Sequence, residues 1–73
     1  MLVTVKLYGS FRVGRFDVAQ IARAPGGTIA SILKDLGLPR GAVGRVMVDD
    51  RVADLAYRPG DGETLAVWPS APS

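Results

Sequence analysis

The stretch PGGTIASILKDLGLP, residues 25–39, predicts the helix around which the fold is organised. Four of its apolar residues are spaced i, i+3, i+4 and i+7 and form one stripe: Ile29, Ile32, Leu33 and Leu36. Thr28 stands where a helix N-cap is expected, Gly37 suits the left-handed residue that ends a helix, and Pro39 prevents continuation. A helix with a single apolar stripe must bury that stripe against another element.

The residues before the helix predict two strands. Val3, Val5 and Leu7 alternate with polar or amphipathic residues, which is the period of a half-buried strand. Residues 16–22 alternate less clearly, but their distance from the first strand is typical of an antiparallel hairpin.

The residues after the helix predict a hairpin and a last strand. Residues 45–48 form a short strand, Asp49 and Asp50 form the turn, and residues 51–53 return. The turn residues 59–62 then precede a strand over residues 63–68, which Pro69 ends. The predicted fold is therefore α+β, with one helix packed on one face of a mixed sheet of four or five strands, the first and last strands being neighbours. Residues 1–69 form this domain, and residues 70–73 form a mobile tail.

The composition excludes several kinds of chemistry. The 73 residues contain no cysteine and no histidine, so disulfides, thiolate or imidazole metal sites, catalytic triads with a histidine base and cysteine nucleophiles are all excluded. Five acidic residues lie close together in sequence but lack the spacing of a calcium loop, and turns explain them better: Asp49, Asp50, Asp54, Asp61 and Glu63. Residues 25–28 likewise indicate a turn and N-cap, not a phosphate loop. We expect no enzyme activity, no metal and no cofactor.

Location and nucleic-acid binding are judged from charge and hydropathy. The net charge is only +2, with basic residues concentrated before residue 49 and acidic ones after it, so nucleic-acid binding is not expected. No stretch indicates a signal peptide or a membrane span, and we expect a cytoplasmic protein without membrane contact.

Strand alternation also predicts a partner-binding surface. If Leu65 and Val67 face the helix, Ala66 and Trp68 face solvent on the other side of the sheet. The same alternation exposes Met47, with Lys6 and Arg45 nearby. Methionine, tryptophan and arginine are common in protein interfaces, so these five residues (Lys6, Arg45, Met47, Ala66 and Trp68) are the candidate partner-binding site. The alternative is that Trp68 folds over the sheet edge as additional core.

The order of these elements resembles the ubiquitin-like β-grasp proteins of the ThiS/MoaD sulfur-carrier family. The resemblance covers essentially the whole chain and rests on VTVKLYG (residues 3–9), GTI (27–29), LGLP (36–39), VMVDDR (46–51), PGD (59–61) and LAVWP (65–69). The LGLP and VWP stretches are equally similar to ubiquitin-like domains that are fused ahead of PIN-like nuclease domains.

The resemblance implies a function that depends on the end of the chain. Sulfur carriers of this family end in Gly-Gly, whose carboxylate is adenylated by an activating enzyme and converted to a thiocarboxylate. Here the strand is followed by the tail residues Pro69, Ser70, Ala71, Pro72 and Ser73. We therefore expect a non-catalytic binding module or small subunit of a larger enzyme, which the sheet face and the tail would contact. The alternatives are a true sulfur carrier for molybdopterin, tungstopterin or thiamin biosynthesis, and an RNA-contacting module like the TGS domains.

Overall fold

The computed structural model describes residues 1–70 and contains one helix and five strands. In chain order the elements are β1 (Leu2–Leu7), β2 (Val18–Ala22), α1 (Ile29–Asp35), β3 (Val43–Val48), β4 (Arg51–Val52) and β5 (Thr64–Pro69). Two short 3₁₀ turns, Gly9–Arg12 and Arg40–Ala42, follow β1 and precede β3. No helix in the described part of the chain is long and apolar enough to cross a membrane.

All five strands belong to one mixed sheet, in the order β2-β1-β5-β3-β4. The first and last strands lie side by side and are parallel, and every other pair is antiparallel. This is the ubiquitin-like β-grasp arrangement, so the predicted α+β class, the mixed sheet and the pairing of the terminal strands are confirmed.

The core lies between α1 and one face of the sheet. It consists of the inward residues of three strands together with the helix stripe: Val3, Val5, Leu7, Val46, Val48, Leu65, Val67, Ile29, Ile32 and Leu33. Two further residues close its ends, Phe11 from the first 3₁₀ turn and Leu38 from the segment after the helix. Burying every long side chain of the stripe except the half-buried Leu36 gives this small domain one continuous apolar layer.

The ends of α1 are fixed as the sequence predicts. The Thr28 hydroxyl accepts a hydrogen bond from the backbone N–H of Ser31 at 3.2 Å, which satisfies one of the free donors of the first turn. Gly37 has a φ of +77°, the left-handed conformation that ends a helix. Both residues of the Asp49-Asp50 turn also have positive φ, 48° and 69°, as a two-residue hairpin turn requires.

Four of the predicted strands have other bounds in the structure. The strand predicted over residues 45–48 begins two residues earlier, at Val43. The second strand begins at Val18 instead of residue 16, because Phe16 packs against the core before the strand starts. The return strand of the hairpin has two residues instead of three. The last strand runs from Thr64 to Pro69, and Glu63 lies outside it because its carboxylate accepts hydrogen bonds from the Tyr57 hydroxyl and the Gly60 N–H.

The segment that ends β5 is held closely against the start of β3. The Ser70 N–H donates to the Ala42 carbonyl oxygen at 2.7 Å, and the β3–β5 register shifts between Val43 and Arg45. A Cβ on Gly44 would lie 2.5 Å from the Ser70 Cα, so only glycine fits at this bulge. The prediction of a mobile tail from residue 70 onward stays a prediction, and its residues Ala71, Pro72 and Ser73 lie outside the described residues.

Replacing Gly44 with alanine is therefore expected to destabilise the fold. Because the added methyl group would overlap backbone atoms of Pro69 and Ser70, we expect the free energy of unfolding to fall by about 1–3 kcal/mol. Gly41→Ala is the matched control, since no atom lies within 4 Å of the place that its Cβ would take, and its stability should change little. Urea denaturation followed by circular dichroism measures both, and equal losses would contradict the close approach.

The hydrogen bond between Tyr57 and Glu63, in the loop between β4 and β5, is expected to make stability depend on pH in the alkaline range. The hydroxyl of Tyr57 donates to the Glu63 carboxylate, and this hydrogen bond is the main cause that raises the pKa of Tyr57 above its ordinary value of 10.0. At pH values between the pKa of Tyr57 in the unfolded chain and its raised pKa in the folded chain, the folded chain retains a proton that the unfolded chain has lost. Stability is therefore expected to fall as pH rises above about 10.

The ¹³Cζ chemical shift of Tyr57 measures this titration directly. In Glu63→Gln, which keeps the shape of the side chain but removes its charge, Tyr57 is expected to ionise at a lower pH than in the parent protein. In Tyr57→Phe, the part of the alkaline loss of stability that comes from this group should disappear. Identical Tyr57 titration curves in the parent and Glu63→Gln would contradict the assignment.

Candidate protein-binding face

The candidate site is the sheet face opposite α1, called the outer face below. The strand registers place Lys6 of β1 beside Ala66 of β5, and Ala66 beside Met47 of β3. Each has buried neighbours in sequence, so all three side chains project away from the core and are half-buried by one another. The predicted residues therefore meet in the middle of the sheet.

The same register continues to both edges of the sheet. Val18 of β2 pairs with Lys6, and Val52 of β4 pairs with Met47. These two valines have exposed fractions of 57% and 77%, which is high for β-branched apolar side chains. A single row thus crosses all five strands, formed by Val18, Lys6, Ala66, Met47 and Val52, and is called the outer row.

Trp68 occupies the next position along β5 and is held between two side chains. Its ring stacks on Tyr8 with centroids 4.5 Å apart and planes inclined by 6°. From β3, the Arg45 guanidinium carbon lies 5.7 Å from the Trp68 ring centroid, within the range of a cation–π interaction. These three residues are called the Trp68 stack. Because β5 is the central strand, the ring lies between β1 and β3, near the C-terminal end of β5, and not over an edge strand.

A shallow depression of about 390 Å³ lies over the middle of the outer row, between the Trp68 stack and the hairpin turn. It is lined by Lys6, Tyr8, Met47, Asp49, Asp50, Thr64, Ala66 and Trp68. Its lining is more polar than apolar, with a lysine, two aspartates and a threonine beside one methionine, one alanine and two aromatic rings. Charged groups of both signs beside apolar ones are typical of the rim of a protein interface.

A second groove, of about 430 Å³, lies beside the C-terminal half of α1. It is mainly aliphatic and is lined by Ala30, Ser31, Leu33, Lys34, Gly37, Leu38, Pro39, Arg40 and Leu55. It contains no aromatic side chain, and two of its three leucines, Leu33 and Leu38, belong to the core. The outer face is the better candidate because tryptophan, tyrosine, methionine and arginine meet there.

All five side chains predicted for the partner-binding site lie on the outer face, and Pro69 of the predicted tail is the last residue of β5. The sequence analysis did not predict that Tyr8 contributes to this face, although the alternation that directs Lys6 outward also directs Tyr8 outward. It also missed the two exposed valines, since the register that aligns them with Met47 is visible only in the sheet.

The acidic residues act mainly as hydrogen-bond acceptors for backbone N–H groups in loops and at strand ends. Asp61 accepts from the Leu2 N–H, Asp49 from the Thr64 N–H and Asp54 from the Ala56 N–H. Within residues 1–70, no three carboxylates come close enough to hold a metal ion. Most of these carboxylates therefore have a structural explanation.

Comparison with known proteins gives one family and several structural relatives. The family model described as Mut7-C ubiquitin matches residues 12–73. A comparison with curated proteins gave no significant match.

Three solved structures have the same fold. A putative molybdopterin converting factor subunit 1 from Pyrococcus furiosus superimposes with a TM-score of 0.78 at 19% identity, over 97% of this chain and 99% of that one. SAMP1 from Haloferax volcanii gives 0.75 at 16%, over 100% and 99%. A complex of subunits 1 and 2 of the molybdopterin-converting factor from Helicobacter pylori 26695 gives 0.66 at 19%, over 100% and 99%. At these identities the likeness establishes the fold alone.

The Trp68 stack predicts energetic coupling between Tyr8 and Trp68. We expect the two alanine substitutions to be non-additive, with a coupling of about 0.5–1.5 kcal/mol, because either one alone already removes the stacking. The free energies of unfolding of Tyr8→Ala, Trp68→Ala and the double variant measure it by circular dichroism. Tyr57→Ala combined with Trp68→Ala is the control cycle, since Tyr57 hydrogen-bonds elsewhere, and a Tyr8 coupling no larger than this control would contradict the stack.

Proposed function

The chain belongs to the Mut7-C ubiquitin family, and on this premise we propose that it is a non-catalytic protein-binding module that docks onto a larger enzyme or enzyme subunit through its outer face. The residues proposed to make the contact are Lys6, Arg45, Met47, Ala66 and Trp68, with Tyr8 as their support. We propose further that it acts in the cytoplasm and needs no cofactor. The tail from Pro69 onward is proposed as a second point of contact.

The observation that carries this proposal is the Trp68 stack on a sheet face that the domain does not use for its own core. The buried layer is complete on the helix side, with Leu65 and Val67 both at 0% exposure. The Trp68 side chain therefore projects from the outer face, where it is half-buried by its own stack and lines the same depression as Met47. Tryptophan, tyrosine and arginine are the residue types that most often dominate binding energy at interfaces.

The rigidity of this surface also favours binding. Ala66 and Trp68 lie on the central strand, which is paired on both sides, and the indole ring is fixed between Tyr8 and Arg45. A partner that covers a side chain already held in one position loses less conformational entropy on association than one that must order it. The outer face is in this sense preorganised.

The charges around the outer face favour a protein over a nucleic acid. Lys6 and Arg45 supply positive charge to the outer face, but Asp49 and Asp50 line the same depression as Lys6. Phosphate backbones need a concentrated basic surface, whereas mixed charges suit the complementary rim of a protein partner. Salt-dependent RNA binding at micromolar concentration would instead support a TGS-like role.

The second candidate is a sulfur carrier for molybdopterin, tungstopterin or thiamin biosynthesis, favoured by the shared fold with the molybdopterin converting factor subunit. Its chemistry would take place on a C-terminal carboxylate and would use the outer face only for docking. Incubating the protein with ATP and a cognate activating enzyme, followed by intact-mass measurement, tests this role. A mass increase equal to replacing one oxygen by sulfur would support the carrier and contradict a purely non-catalytic module.

The binding proposal predicts that Trp68→Ala weakens partner binding. A photoreactive amino acid at position 47 would first identify the partner in the native host by crosslinking and mass spectrometry. With that purified partner, calorimetric titration is expected to give a dissociation constant roughly tenfold or more above that of the parent protein, since a central tryptophan is worth about 2 kcal/mol or more.

The control variant is Val13→Ala, which removes an apolar side chain of 76% exposure from a loop outside the strands. It should bind as the parent does, and circular dichroism should show that Trp68→Ala remains folded. Equal affinities of Trp68→Ala and the parent would contradict the proposed role of the outer face.

A further inference from the structure

Strand β2 forms one edge of the sheet and leaves one side of its backbone unpaired within the described residues. Its sequence VAQIA contains no charge and no proline, and its register with β1 has no bulge. Exposed edge strands normally carry a charge, a proline or a bulge, because these features prevent pairing with another chain. The opposite edge is protected by its shortness, as β4 has only two residues.

The hydrogen bonds to β1 determine which groups of β2 remain free. Met1 and Arg23 exchange hydrogen bonds at one end, both at 2.9 Å, and the Leu7 N–H donates to the Asp17 carbonyl at the other. In an antiparallel pair, bonded and non-bonded positions alternate, so residues 17, 19, 21 and 23 direct their backbone groups toward β1. Val18, Gln20 and Ala22 therefore direct their N–H and C=O groups away from the sheet.

We infer that a second copy of this chain pairs with this edge, β2 against β2 in antiparallel orientation, about a two-fold axis at Gln20. In this register Gln20 faces Gln20 of the second copy, and Val18 faces Ala22 at both ends. All the outward backbone groups of Val18, Gln20 and Ala22 then find partners. The interface is isologous, as in most homodimers.

The β2–β2 register follows from the alternation of outward and inward backbone groups and from the side chains that it brings together. A shift by one residue would set outward-directed groups against inward-directed ones, and a shift by two would leave an outward residue without its match. At the chosen register Asp17 also faces Arg23 of the other copy at each end. Arg23 already pairs with Asp35 of its own chain, so Asp17 would add a second acidic group beside the guanidinium.

The pairing would join two sheets into one of ten strands. Paired residues of antiparallel strands project to the same face, so both outer faces would lie on one side of the joined sheet. Val18 of each copy would be covered by Ala22 of the other. One edge strand buries much less than the roughly 1,200–2,000 Å² of a standard interface, so we expect association at high micromolar to millimolar concentration.

Charge substitutions at Gln20 test the two-fold register. Gln20→Lys and Gln20→Glu each place like charges opposite one another, and we expect either variant alone to dimerise about fivefold or more weakly than the parent. An equimolar mixture of the two is expected to recover association, because opposite charges then meet at the axis. Sedimentation equilibrium over a concentration series measures all three samples, and Val13→Lys controls for the added charge.

Hydrogen exchange supplies an independent reading on the parent protein. The amides of Val18, Gln20 and Ala22 should exchange more slowly as protein concentration rises. Those of Ala19 and Ile21, already bonded to β1, should not change. The inference would be overturned if the chain stayed monomeric at millimolar concentration. It would equally be overturned if Gln20→Lys had no larger effect than Val13→Lys, or if the equimolar mixture failed to recover association. None of these outcomes depends on the proposed partner-binding role of the outer face.

Discussion

The parallel pairing of β1 with β5 is the contact on which the rest of this small fold depends. The Thr4 N–H donates to the Glu63 carbonyl and the Tyr8 N–H to the Val67 carbonyl, both at 3.1 Å. Parallel neighbours require a long crossover, and here that crossover contains the helix and three further strands. With the two terminal strands adjacent, their inward side chains meet α1 and form the centre of the core.

That pairing also determines what the outer face contains. The parallel register sets Lys6 beside Ala66, and the antiparallel register of β3 sets Met47 on the other side of Ala66. Trp68 lies two residues after Ala66 in β5, and its ring contacts Tyr8 beyond the end of β1 and Arg45 of β3. The central strand β5 thus has one buried side, where Leu65 and Val67 face the helix, and one side on the outer face, where the half-buried Trp68 ring stacks on Tyr8.

The sequence was most informative where a local pattern has one physical solution. The stripe of α1, its cap at Thr28 and the left-handed residue Gly37 follow from local rules, and so does the inward or outward direction of each residue in β5. The stacking of Tyr8 on Trp68 could not be predicted, because it depends on the relative position of residues 60 apart in the chain. The close approach at Gly44 depends equally on tertiary packing, since nothing in its neighbours marks it as different from Gly41.

The parallel arrangement of β1 and β5 also has a mechanical consequence. Met1 lies at one end of this strand pair and Ser70 at the other, so a force pulling the two apart would act along the strands. The hydrogen bonds between β1 and β5 would then bear the load in shear and together, instead of opening one after another as in a peeled hairpin. Tension applied through any protein attached at either end would therefore meet the strongest orientation of the sheet, and resistance to it would be set by the rate of unfolding and not by equilibrium stability.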